Sequence, residues 1–86
     1  MTTIIGASEE VQQERYDQAK ALQVGLVRNK IDSWVDSENS LHVGPIECRW
    51  TRNDGGYFYM VVGTGTQLSK RFTLEAAIMF LVFMNE

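Results

Sequence analysis

The side chains able to do chemistry are few: a single histidine, His42, a single cysteine, Cys48, and eleven carboxylates. Zinc and iron sites gather several imidazole, thiolate or carboxylate ligands at short spacing. Here His42 and Cys48 are separated by a step from loop to strand, so neither a protein-supplied metal site nor a cofactor is expected. Asp32 and Asp36 stand four residues apart and share a face if the helix reaches that far, where they form a solvated end. A nucleophilic cysteine needs a cation or a helix N-terminus to hold its thiolate. Cys48 alternates with Ile46 and Trp50 instead, which makes it a core thiol. His42 lies in a polar stretch and is expected in a solvent-exposed loop. Gly63-Thr64-Gly65-Thr66 lacks the third glycine of a dinucleotide fingerprint and the Gly-Lys-Thr end of a phosphate loop, so it reads as a turn. No catalytic constellation emerges, and the chain is not expected to be an enzyme.

The elements that position these groups follow from periodicity. Ser8 to Val35 contains no proline and one glycine, and reads as one long helix with Ser8 as its N-cap and Glu9 and Glu10 against the dipole. Its apolar residues fall into two seams: Val11, Ala19, Leu22 and Leu26, and, rotated away, Val24, Val27, Ile31 and Trp34. Residues 36–45 are rich in Ser, Asp, Asn and Gly and close on the single proline, which predicts a loop. Ile46 to Arg52 alternates with period two as a half-buried strand, Asn53-Asp54-Gly55-Gly56 supplies a hairpin turn, and Tyr57 to Val62 is a second strand. Thr66 to Phe72 makes a third, shorter strand, and Thr73 caps a last helix running to about Met84. The expected fold is α+β: a three-stranded antiparallel sheet with an N-terminal and a C-terminal helix packed on it, in the order α-β-β-β-α. Ala76 to Met84 is apolar on every face, so this helix is expected to be covered nearly all round.

Eighty-six residues bound the chain to one small domain, residues 1–86. The lone cysteine points to a reducing compartment. The first eight residues lack the basic and apolar regions of a leader, and the longest apolar run is nine residues against the roughly 20 a membrane span needs. A cytoplasmic protein that does not enter membranes is expected. The net charge of −3 disfavours phosphate backbones; residues 1–43 carry seven acids against four bases, and residues 44–86 four of each.

The segment Gly63-Thr64-Gly65-Thr66-Gln67-Leu68-Ser69-Lys70-Arg71, followed by a helix containing Ala76-Ala77 in an α-β-β-β-α order, resembles the C-terminal half of a double-stranded RNA-binding domain. In that family a Ser-Lys-Lys-type segment opens the last helix and its bases meet phosphates across a groove. The resemblance covers about a third of the chain. It implies duplex RNA as a partner, held by Lys70 and Arg71 together with Arg49 and Arg52. This chain departs from the family pattern in two extra residues before Ser69, in Phe72-Thr73, and in the strongly apolar last helix.

The residues themselves favour a different partner. Tyr57, Phe58 and Tyr59 are consecutive in a strand, so either the two tyrosines or the phenylalanine must face away from the helices, beside Arg49 and Arg52. Tyrosine, tryptophan and arginine are the side chains enriched at protein interfaces. The expected function is a non-catalytic protein-binding module that occupies a surface of another macromolecule through Tyr57, Tyr59, Arg49 and Arg52. Its size and acidity suit a phage-type inhibitor of a host defence or nucleic-acid-handling complex. The second apolar seam further predicts a homodimer with Val27, Ile31 and Trp34 near its centre.

Overall fold

The computed structural model describes residues 2–86, with side chains from Glu9 onward; Met1 and the side chains on which the N-cap and leader readings rest lie outside the described residues. Helix α1 spans Thr2–Arg28, so its backbone begins ahead of the expected start at Ser8. The helix stops well before Val35, for a local reason. Lys30 takes a left-handed conformation (φ 62°), its N–H donates to Val27 O, and the Ile31 N–H reaches back to Leu26 O. These two bonds form a Schellman motif, and the residues at the positions of its customary apolar pair, Ile31 and Leu26, are both buried in one core cluster. With the helix ended there, Asp32 and Asp36 share no helix face.

The chain then makes a four-stranded antiparallel sheet in sequence order: β1 (Trp34–Val35), β2 (Leu41–Val43), β3 (Ile46–Thr51) and β4 (Tyr57–Val61). The expected third strand is absent as such. Thr66 to Phe72 touches the free edge of β4 only at Val61↔Gln67 and Phe58↔Phe72, with further hydrogen bonds from Leu68 N to Met60 O and from Val62 N to Thr66 O. The extra strands come from the expected helix end and loop instead, which gives the order α-β-β-β-β-α. Helix α2 (Leu74–Met84) starts where Thr73 Oγ1 accepts from Ala76 N at 3.1 Å.

Both helices pack on one sheet face. Register places Leu41, Cys48 and Met60 opposite one another, and Val43 opposite Ile46. These residues join Phe58 and Phe72 with Ala19, Leu22 and Leu26 of α1 and Ala77 and Leu81 of α2 in a single core. The helices approach each other closely at Gly25. A Cβ there would overlap Ile78 Cδ1 and lie 2.9 Å from its Cγ1, so the glycine is kept for contact despite its poor helix propensity. Helix α2 is not covered all round: Met79 and Phe83 are 71% and 70% exposed, because among the described residues the sheet and α1 lie against its other side. Among the described residues no helix is long and apolar enough to cross a membrane.

Candidate functional site

Pleating sends alternate side chains of the same strands to the opposite face, which no helix covers among the described residues. On it lie Trp34 of β1, His42 of β2, Glu47, Arg49 and Thr51 of β3, and Tyr57, Tyr59 and Val61 of β4. Arg49 pairs with Tyr59, and Thr51 with Tyr57, directly across the ladder. The two tyrosine rings are 6.4 Å apart and tilted by 60°. Arg71 closes this end of the row: its guanidinium carbon lies 4.5 Å from the Tyr57 ring centroid, and its Nη1 donates to Asp54 Oδ2 at 2.8 Å.

The hairpin that presents the tyrosines is tight at Asn53–Gly55, with Asp54 (φ 53°) and Gly56 (φ 99°) in left-handed backbone. Gly56 is required twice over, since a Cβ would come within 2.7 Å of Trp50 on the covered side.

At the other end three groups gather that are scattered in sequence. Asp36 follows β1, and its Oδ1 accepts from the backbone N–H of Glu38 (2.8 Å) and of Ser40 (3.0 Å), which pins the β1–β2 turn. His42 Nε2 lies 2.7 Å from the second oxygen, Oδ2. An ionised carboxylate can only accept, so Nε2 carries the hydrogen. The imidazole stacks on Trp34 with centroids 4.2 Å apart and planes 10° from parallel. Glu47, opposite His42 in register, accepts two bonds from Arg49: Nε to Oε2 at 2.8 Å and Nη2 to Oε1 at 3.1 Å. One ligand atom from each of Asp36, His42 and Glu47 can be chosen so that all three lie within 4.8 Å of one another.

The electrostatics follow this geometry. Burial pushes the Asp36 carboxyl up, but the hydrogen bonds from His42, Ser40 and Glu38 outweigh it and hold it below the ordinary range. The Arg49 bonds hold Glu47 low against a smaller opposing effect of burial, and Glu47 in turn raises the Arg49 guanidinium. A depression of about 310 Å³ opens beside the cluster, lined by His42, Glu47, Arg49, Pro45, Val61 and Gly63 among others.

No protein-family model, curated protein or solved structure matches this chain.

The residues singled out from sequence divide. Tyr57, Tyr59 and Arg49 stand side by side on the open face. Arg52 does not join them: its Nε reaches back to Glu14 Oε1 of α1 at 2.9 Å, an ion contact whose angle makes no hydrogen bond. Lys70 and Arg71 diverge, with Lys70 Nζ 5.7 Å from the Phe72 centroid and Arg71 turned to Asp54 and Tyr57. Val27 (64% exposed) and Trp34 (58%) are accessible, whereas Ile31 is buried in the core cluster and cannot centre an exposed seam. Cys48 is 1% exposed, and burial, helped by the Glu47 charge, pushes its thiol up to about 12, so it remains protonated and buried. His42 is a strand residue, half-buried, and not a free loop side chain.

Sequence reasoning overlooked the grouping of Asp36, His42 and Glu47. The available signal was Leu41-His42-Val43-Gly44-Pro45-Ile46-Glu47-Cys48, in which apolar and polar residues alternate on both sides of a two-residue turn, placing His42 across from Glu47.

Proposed function

We propose that this chain is a non-catalytic protein-binding module that engages its partner with the open face of the sheet. The observation that carries the reading is the adjacency of Arg49, Tyr57 and Tyr59 on a face left bare by both helices. Such a row combines rigid aromatic area with a planar cation that its Glu47 partner already orients, the combination that dominates binding energy in protein interfaces. An open sheet face of this kind suits a macromolecular surface better than a small molecule, which needs a concave, mostly enclosed site. An inhibitor that blocks a surface of a larger complex is one form of this activity.

The test compares capture by the wild-type chain and by a Tyr57→Ser/Tyr59→Ser double variant, immobilised in parallel in lysate of the native host, with bound proteins identified by mass spectrometry. Circular dichroism first establishes that both are folded. A protein retained by the wild type and lost with the variant supports the reading, and an identical set of captured proteins overturns it. A gel-shift titration with duplex RNA at two salt concentrations distinguishes the RNA-binding alternative, since phosphate-driven binding weakens steeply with salt.

A further inference from the structure

We infer that Asp36, His42 and Glu47 form a binding site for a divalent transition-metal ion of the zinc or nickel class. This inference rests on the geometry of the cluster and not on the protein-binding reading. Three ligand atoms from three different segments, the β1–β2 turn, β2 and β3, converge within 4.8 Å of one another. Each is oriented by a group that is not itself a ligand, as the ligands of protein metal sites are. The two backbone N–H bonds to Asp36 Oδ1 leave Oδ2 directed at His42. The Trp34 ring fixes the plane of the imidazole. Arg49 fixes the Glu47 carboxylate, whose oxygens each keep a further lone pair.

Ligand atoms around tetrahedral zinc, with bonds of about 2.0–2.1 Å, lie roughly 3.3 Å apart. The Asp36–His42 pair at 2.7 Å opens slightly and the Glu47 oxygen moves in to reach that spacing. In the neutral ring the hydrogen on Nε2 passes through solvent to Nδ1, freeing the Nε2 lone pair for the metal. Two carboxylates set against Arg49 leave the cluster with a formal charge of −1, which a divalent cation offsets. One imidazole with two carboxylates prefers zinc, nickel or cobalt to magnesium, which favours an all-oxygen shell. The depression beside His42 and Glu47 leaves room for water to complete the coordination.

The experiment uses the untagged full chain. Isothermal titration with zinc chloride is expected to give one saturable site that magnesium at tenfold excess does not displace. Asp36→Asn, which keeps the turn-forming oxygen, and His42→Gln are each expected to weaken binding by at least about tenfold. Nickel is expected to quench the fluorescence of Trp34 through the stacked imidazole. Trp34→Phe, which removes none of the ligands, retains zinc binding and loses most of the quench. Absence of saturable zinc binding, equal affinity in folded Asp36→Asn, equal competition by magnesium, or an undiminished quench in Trp34→Phe overturns the inference. In the first of these outcomes the cluster is a hydrogen-bonded strut that holds β1 to the sheet.

Discussion

The two faces of this sheet are made by the same strands, yet they obey different physics. On the covered face Leu41, Cys48, Phe58 and Met60 are almost wholly inaccessible and make no demand for partners. Their stabilisation scales with apolar area removed from water and is non-directional. On the open face His42, Glu47, Arg49, Tyr57 and Tyr59 remain half-buried and are ordered by directed contacts: a 2.7 Å hydrogen bond, a bidentate ion pair, the Trp34–His42 stack and a tilted tyrosine pair. Partly solvated pairs of this kind contribute little to stability, because water competes for the same groups. One face thus holds the fold by burial, while the other is ordered by directed contacts between partly solvated groups.

Mutations that remove this asymmetry have graded effects. The largest belongs to the covered face: Leu22→Ala empties a fully buried position and is expected to cost about 2–5 kcal/mol in urea unfolding, enough to unfold a marginal domain. A cost below 1 kcal/mol would show that the two layers are not packed as described.

Next is alkaline pH. Because the folded Cys48 thiol titrates at about 12 and the unfolded one near 9, its contribution is fully present below pH 9 and is lost as pH rises from 9 towards 12. At pH 10.5 the wild type should have lost about 2 kcal/mol more than Cys48→Ala, relative to each protein at pH 8. A thiol reagent should likewise label the native protein far more slowly than the unfolded one. Equal pH dependence of the two chains would mean that the thiol is not sequestered.

A smaller effect is expected where the helices meet. Gly25→Ala gains helix propensity but crowds Ile78, so a net loss of about 1 kcal/mol is predicted. Adding Ile78→Val removes the overlapping Cδ1 and should restore part of that loss. Failure of the second substitution to compensate would separate the two positions.

The open face gives the smallest changes in stability. Asp36 and Glu47 both titrate below their ordinary range, so their contribution is present above about pH 5 and is lost as pH falls through the lowered folded values. Asp36→Asn should therefore flatten the acid limb of the stability curve while changing neutral stability by about 1 kcal/mol or less. Tyr57→Ser/Tyr59→Ser should leave the urea midpoint nearly unchanged, each cross-strand pair contributing roughly 0.2–1 kcal/mol. A collapse of the fold in that variant would show that the tyrosines support the fold.

Much of the frame could be read from the residues alone. Alternation in Ile46 to Trp50, with Asn53-Asp54-Gly55-Gly56 behind it, specifies the β3–β4 hairpin and the inward thiol, because both signals are local and agree. Thr73 marks the start of α2 for the same reason. Strand β1 was not legible, since two residues are too short for periodicity to register, and the three residues of β2 show their alternation only when read together with β3 across the Gly44-Pro45 turn. The end of α1 was hidden too, because Lys30 occupies a left-handed position where glycine usually advertises the stop.

Local propensity and patterning, which act over a few residues, carry the α+β class, the two helices and the central hairpin. Long-range packing was needed to turn the tyrosines, rather than Phe58, away from the helices, to bury Ile31, and to bring Asp36, His42 and Glu47 together. Those outcomes depend on strand register and on the termination of one helix, and a shift of a single residue in either would send each side chain to the other face.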